Sequence, residues 1–349
     1  MATLTCAALT AIYYSAESLY ADGQKKADYV AEVNAAKAVI ENTTAKINVL
    51  DVNNKVREAK IYWNKKTTTT INDCADTPDT LCALTGDESD ADCKTYVIEE
   101  CTSAGFVVDD ALYAGSNLNA NEVFADNMLK TMKALDEAIA QKIIAKIDSF
   151  SSPNLHTTVG VGCPGAVGPD NWAQTYIQPT YWTPEVMAYF LQVARINKFA
   201  SPFLLDGDNL YTPYFRAINE AGNANGAGAK AMIEKIKYYE DMVNMAVVNG
   251  STRKTFMVER GTTAFSSYAL WAKNGMTNPL NHGAGQFKFS VPSKNIPGLV
   301  YDVYTKDECS GAYEKHTVRI QANYDVFNGP AAVNGSTGVL EFVCGNCPS

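Results

Sequence analysis

The stretch from Asn119 to Phe150, NANEVFADNMLKTMKALDEAIAQKIIAKIDSF, constrains the fold more than any other. Its apolar residues fall at Phe124, Met128, Met132, Leu135, Ile139, Ile143 and Ile147, always three or four apart. That spacing lines them up on one stripe of a helix of period 3.6. The opposite face carries Asp126, Lys130, Lys133, Glu137, Gln141 and Asp148, as a solvated or partner-facing side would. Asn119 can cap the first turn, with Glu122 completing a capping-box pattern. Ser151-Ser152-Pro153 ends the helix, because proline supplies no N–H and disfavours helix before it. Such a helix would be on the order of 40 Å long, beyond the usual globular length. A helix this long acts as a backbone on which other elements are laid.

A chain of 349 residues holds one large domain or two to three smaller ones. Hydrophobic residues make up 46%, enough for a substantial core, and charged residues only 19%. The net charge of -9 disfavours sequence-independent binding to phosphate backbones. No run approaches the ~18 apolar residues of a membrane helix, so no membrane is expected as a partner. The first residues, MATLTCAALTAIYYSAESLY, lack Lys and Arg and include Glu17, so a signal peptide fits badly.

Before the long helix, residues 7–42 read as one or two helices with a stripe of Tyr29, Val30, Val33, Ala36, Val39 and Ile40. This segment is too small to bury its own core and reads as an arm. Alternating segments at 46–52 and 55–63 predict two strands, and 94–99 with 104–108 the returning strand. Between them, 64–93 opens Asn-Lys-Lys-Thr-Thr-Thr-Thr and then carries Asp73, Asp76, Asp79, Asp87, Glu88, Asp90 and Asp92. No core can be built from that composition, so the segment reads as a functional excursion with a solvated acidic tip. Asp87-x-x-Asp90-x-Asp92 lacks the Gly and closing Glu of a calcium loop.

After the long helix, the Pro, Gly and aromatic residues of 151–182 predict an irregular connector. Thr183-Pro184-Glu185 starts a helix running to about Asn197. A strand over 199–205 leads into a turn at Asp206-Gly207-Asp208, followed by a short helix at 211–219 and a small-residue hinge from Gly222 to Gly228. A helix is predicted from Ala229 to Val248, a buried strand at 255–258, and a short helix at 261–275. Strands follow at 286–291, 298–305, 316–327 and 338–343, separated by turn residues. There is no internal repeat.

Chemistry-bearing motifs are scarce. His156, His282 and His316 lie in separate contexts outside any HExxH or HxH pattern, and each reads as a satisfied surface or turn histidine. Hydrolase-elbow, kinase, dinucleotide and phosphate-loop signatures are missing. Asp206 and Asp208 read as turn residues before a metal pair. The nine cysteines include a cluster at Cys74, Cys82, Cys93 and Cys101 and a lone Cys344-x-x-Cys347, and their spacings do not match a zinc finger. They read first as reduced thiols, with disulfides in the 74–101 segment as the alternative. No catalytic residue, cofactor or metal ligand is predicted, and the chain does not read as an enzyme.

The order of elements carries more information than any motif. An arm, a two-stranded excursion, a long helix, a mixed helical region and returning strands together resemble the major capsid protein of tailed double-stranded DNA phages, the Hong Kong 97-type fold. That resemblance implies an α+β architecture covering nearly the whole chain. Residues 1–45 match the N-terminal arm and 46–115 the extended loop. Residues 116–182 match the peripheral domain with the spine helix 119–150, and 183–285 the axial domain. Strands in 286–349 would return to both sheets. It further implies a structural virion protein in the capsid, assembled in the host cytoplasm from copies of itself as pentamers and hexamers. Separate scaffolding, portal and decoration or head-completion proteins would be its partners, and the shell would enclose double-stranded DNA without sequence-specific binding.

The expected inter-subunit contacts are Lys55, Arg57, Lys60, Lys65 and Lys66 on the stalk of the excursion, and Asp87, Glu88, Asp90 and Asp92 at its tip. Some members of the family join a loop Lys to a peripheral-domain Asn. No Asn here is matched to Lys65 or Lys66, so no cross-link is expected. Two other classes fit a motif-free chain: a phage tail-tube or sheath protein, and an extracellular binding or adhesion protein. Tube subunits are mostly β and lack so long a helix, and the adhesion reading calls for a signal peptide and paired cysteines.

Overall fold

The computed structural model describes residues 30–43, 46–49, 58–64, 91–113, 120–152, 154, 174–177, 179–184, 186–223, 236–249, 253–269, 280–281, 286–310, 313–330 and 336–344. Its helices are α1 (Asn34–Glu41), α2 (Asp110–Tyr113), α3 (Ala120–Ser149), α4 (Val186–Ile196), α5 (Tyr211–Asn223) and α6 (Met242–Asn249). The first strands are β1 (Lys46–Val49), β2 (Glu58–Asn64), β3 (Ala91–Val97), β4 (Glu100–Asp109), β5 (Gln174–Ile177) and β6 (Pro202–Asp206). They continue with β7 (Lys237–Glu240), β8 (Arg253–Glu259), β9 (Thr263–Tyr268) and β10 (Leu280–Asn281). The last are β11 (Gln286–Pro292), β12 (Val300–Ser310), β13 (Tyr313–Asn328) and β14 (Val339–Cys344). The fold is α+β.

Helix α3 is the predicted long helix, 30 residues or about 45 Å. Every residue of the predicted stripe from Phe124 to Ile147 is buried. Ala125, Leu129, Asp136, Ala140 and Ile144 are buried as well, so the covered arc is wider than one stripe. The reason is that two bodies lie against it. Strand β4 packs on one side, with Phe106 edge-on to Phe124 at 5.3 Å. Helix α6 packs on another, where Gln141 donates to Asn244 at 3.3 Å. The expected solvated face is therefore solvated only in its first half. There Asp126 pairs with Lys130 at 2.8 Å and Lys133 with Glu137 at 3.8 Å, while Gln141 and Asp148 are engaged within the chain. Asn119 lies outside the described residues.

The first sheet runs β10-β11-β12-β13-β4, and β9 also pairs with β13. Strand β13 is 16 residues long, and β12 and β9 follow one another end to end along one of its sides, with β4 on the other. Alternate residues Tyr301, Val303, Val318, Ile320 and Tyr324 are buried in the same cluster as the α3 stripe. Midway along α3, the carboxylate of Asp136 is buried and accepts from Tyr301, from Ser293 at 2.9 Å and from Asn295 at 2.7 Å. This network fixes the helix to the connection between β11 and β12.

The second sheet runs β5-β14-β8-β6-β7 and is covered on both faces. Phe203, Leu205, Phe256, Val258 and Val339 face the cluster containing α3, whereas Leu204, Met257, Leu340 and Phe342 face α4. Such double burial accounts for the uninterrupted apolar runs in β6 and β14.

Three predicted segments differ. Lys237–Glu240, predicted as helix, is strand β7 in parallel pairing with Phe203–Asp206. Ile236, Tyr239, Met242 and Val243 mimic a helical stripe, but pairing with β6 overrides it, and helix begins only beyond Asp241. There the Asp241 carboxylate caps α6, accepting from the Asn244 N–H at 3.0 Å. Thr263–Tyr268, also predicted as helix, is β9, because its Thr, Phe and Tyr suit pairing with β13. The expected irregular connector contains β5, which pairs in parallel with Glu341–Cys344, and a 3-10 turn at Pro179–Tyr181. Most of the predicted hinge at 222–228 and of the N-terminal arm lies outside the described residues. Among the described residues no helix is long and apolar enough to cross a membrane.

Candidate assembly surfaces

Strands β1-β2-β3 form a third sheet, separate from the other two. Strand β2 is central and antiparallel to both neighbours, with Ile61 opposite Ile47 and Lys94. Its period of two sorts the side chains. Ala59, Ile61 and Trp63 point inward and are buried with Ile98, Ala264 and Phe327. Tyr96 rests on Phe327 with ring centroids 4.7 Å apart and donates to the Asn328 carbonyl at 3.1 Å. Gly329 lies under the Trp63 ring, where a Cβ would meet ring carbons at 3.0 Å. The sheet is thus anchored at its base.

Its other face is open. Tyr62, Cys93, Thr95 and Val97 are exposed there, and the Lys60 ammonium lies 5.7 Å from the centre of the Tyr62 ring. Of the sequence-predicted contact residues, Lys60 lies on this outer face and Asp92 is in β3 opposite Trp63. Lys55, Arg57, Lys65, Lys66, Asp87, Glu88 and Asp90 lie outside the described residues.

Beside the base is a cleft of about 630 Å³ lined by Trp63, Tyr96, Glu99, Lys146, Asp325 and Phe327, among others. Lys146 lies 3.4 Å from Asp325 and 3.9 Å from Glu100, so its charge is already engaged by the wall next to α3.

A second surface is apolar. On α5, Tyr211 and Phe215 are exposed with their rings 4.8 Å apart, and Phe215 meets Tyr214 at 5.9 Å. Tyr214 stacks on Tyr238 at 4.4 Å. The start of α5 is held by buried Asp206, which accepts from Leu210 N–H at 2.9 Å, Thr255 at 2.7 Å and Tyr238 at 3.0 Å. Burial keeps the Asp206 carboxyl above its ordinary value despite these hydrogen bonds. Asp206 therefore acts in a structural cap, as the turn reading expected. Val107 on β4 and Leu112 on α2 are also exposed, Leu112 at 75%.

Charge drew attention to Lys60 and Asp92 in the sequence, but not to Tyr62, Val97, Leu112 or Phe215. The alternation in β2 could have flagged Tyr62; the others depend on which neighbours the fold supplies. His316 also differs from expectation. It is not a surface or turn residue but sits buried within β13, near Asp110 and Glu314. These three are the residues able to hold a metal ion among those described. Cys93, Cys101 and Cys309 are free, exposed thiols; Cys74, Cys82 and Cys347 lie outside the described residues.

No family model and no curated protein matches the chain. Several solved phage structures are similar to it. A chain of the capsid structure of cyanophage P-SCSP1u is 10% identical, with 89% of each chain covered and a TM-score of 0.46. A chain of Mycobacterium phage Che8 is 12% identical over 85% of this chain and 92% of that one, with a TM-score of 0.42. A chain of Microbacterium phage Oxtober96 is 12% identical over 98% and 99%, with a TM-score of 0.44.

Proposed function

We propose that this chain is a major capsid protein of a tailed double-stranded DNA phage, of the Hong Kong 97 type, with a structural and not a catalytic role. One observation carries the reading. A 30-residue helix lies along a sheet built from β4, immediately after the excursion, and from the late strands β11 to β13. The excursion sheet stands beside this body on a single buried face. An arm, an excursion and a spine helix in this order are the parts of that capsid architecture. Tyr62, Val97, Leu112 and Phe215 supply apolar surface of the kind that subunit contacts cover.

On this reading residues 1–45 are the N-terminal arm, 46–115 the extended loop, 116–182 the peripheral domain, 183–285 the axial domain and 286–349 the returning strands. Support for the division comes from β6, β7 and β8 sharing a sheet with β14, while β11 to β13 share the other with β4. Three strands cross these bounds: β9 from the axial span and β4 from the extended-loop span lie in the sheet of β11 to β13, and β5 from the peripheral span lies in the sheet of β6 to β8. Copies join by a head-to-tail interface that closes into pentamers and hexamers. Lys55, Arg57, Lys60, Lys65 and Lys66, with Asp87, Glu88, Asp90 and Asp92, contribute to contacts between neighbours. The shell encloses the genome without sequence-specific contacts, is assembled in the host cytoplasm, and works with separate scaffolding, portal and decoration proteins.

Electron microscopy of the purified recombinant chain tests the proposal. Icosahedral shells or hexameric sheets are the expected result, and discrete monomers at high concentration would overturn it.

A further inference from the structure

Three segments converge where β12 and β13 end against α2. Residues two apart on a strand share a face, so β13 presents Glu314 and His316 together. Asp307 of β12 stands directly across from His316, and Asp109, the last residue of β4, pairs with Lys315. The next residue, Asp110, begins α2 and closes the group from a third direction.

The chemistry of this cluster is unbalanced as it stands. The His316 ring is buried, 6% exposed, and its Nδ1 lies 2.8 Å from Asp307 Oδ1. With Nδ1–H donating a hydrogen bond to that carboxylate, Nε2 keeps its lone pair, directed outward. That nitrogen faces Asp110 Oδ2 at 3.7 Å and Glu314 Oε2 at 4.0 Å and makes no hydrogen bond among the described residues. A lone pair facing two carboxylates repels both. The second oxygen of Asp110, Oδ1, is buried without a hydrogen-bond partner. Even an imidazolium would leave three carboxylates around one positive charge. A divalent cation instead balances Asp110 and Glu314 and takes the Nε2 lone pair.

We propose that His316 Nε2, Asp110 and Glu314 bind a zinc-like divalent transition-metal ion, with Asp307 orienting the histidine. The three donor atoms lie within 4.8 Å of one another. Bonds of about 2.0–2.2 Å around a tetrahedral ion set ligand atoms roughly 3.3–3.6 Å apart, so the two carboxylates close on the histidine nitrogen by a few tenths of an ångström and on each other by up to about an ångström, within reach of side-chain rotation. One imidazole and two carboxylates form a borderline donor set, which suits zinc or cobalt, whereas calcium calls for six to eight oxygens. The Asp307–His316 contact is the carboxylate–histidine pair that commonly supports such ligands. A bound ion would tie α2 to the ends of β12 and β13, independently of whether the chain forms shells.

The test uses the full chain, stripped with a chelator and titrated with cobalt(II), whose visible spectrum separates nitrogen and oxygen ligation from thiolate ligation by the free cysteines. The expected result is one equivalent with d–d bands and no sulfur charge-transfer band. Uptake should weaken more than tenfold in His316→Ala and in Glu314→Gln. Asp307→Asn, which keeps every ligand, should weaken it about 10- to 100-fold. Glu314→Gln and Asp110→Asn lie on half-buried residues and keep the test valid should His316→Ala fail to fold. No saturable uptake, sulfur ligation alone, or uptake unchanged in both Glu314→Gln and Asp110→Asn would overturn the assignment.

Discussion

Lys254 reaches Asp148 at 3.0 Å, tying β8 of the second sheet to the last turn of α3. The same ammonium lies 2.9 Å from Glu341 on β14, whose side chain is 1% exposed. Burial opposes the lysine charge, but the hydrogen bonds and attraction of the two carboxylates prevail and hold its pKa above the ordinary value. A group whose folded pKa is raised in this way contributes fully below its unfolded pKa. Its contribution fades only as pH rises through the folded value, so this junction is intact across neutral pH. Replacing Lys254 with Met strands a buried carboxylate and should cost about 3–5 kcal/mol in urea denaturation of the unassembled chain. Adding Glu341→Gln should restore part of that loss, which distinguishes an uncompensated charge from lost packing.

Asp136 makes the opposite contribution. Burial raises its carboxyl pKa, against the hydrogen bonds from Tyr301, Asn295 and Ser293. The folded state therefore holds this proton more tightly than the unfolded chain does. Stability should fall as pH rises from the ordinary value of 3.8 through the raised folded value. Asp206 and Asp241 are raised by burial too and add to the same slope. Asp136→Asn should flatten the decline measured by denaturation between acid and neutral pH without removing it. Asp136→Ala should also remove the buried acceptor shared by Tyr301, Asn295 and Ser293, at a cost of about 1–3 kcal/mol.

Gly338 tests the join between β14 and the turn before β9. Its φ is +81°, and an added Cβ would lie 2.3 Å from Thr262 Cγ2. Left-handed backbone alone costs an L-residue about 1–2 kcal/mol. Gly338→Ala should exceed that in thermal denaturation, and Thr262→Ser should relieve part of the excess by removing the offending methyl.

Much of this fold was legible because some elements meet one dominant environment. The α3 stripe from Phe124 to Ile147 and the alternation in β11 to β13 reflect faces packed on a single core. Strands β5, β7 and β9 were misread because their identity rests on distant partners: Glu341–Cys344, Phe203–Asp206 and Asn323–Asn328. Tyr238 and Tyr239 fit a helical spacing equally well until pairing with β6 decides the matter. The candidate surfaces divide in the same way. Formal charge picked out Lys60 and Asp92, but whether Leu112 or Phe215 is covered depends on neighbours that no local pattern encodes. His316 gains its meaning only when Asp307 and Asp110 arrive from elsewhere in the chain.

The excursion gives the sharpest separation of folding from assembly. Asn64 pairs with Ala91, so β2 and β3 are in register to be joined directly. Replacing residues 65–90 with Asn-Gly would close them with a two-residue hairpin turn. Ala59, Ile61, Trp63 and Tyr96 would remain seated on Phe327 and its neighbours. The shortened chain should therefore keep its melting temperature within a few degrees while losing the ability to form shells, as measured by calorimetry and electron microscopy. Trp63→Ala should do the reverse to the base, costing about 3–5 kcal/mol by opening a cavity beneath the sheet. If the shortened chain lost its soluble fold, the segment would belong to the core and not to the contacts between subunits.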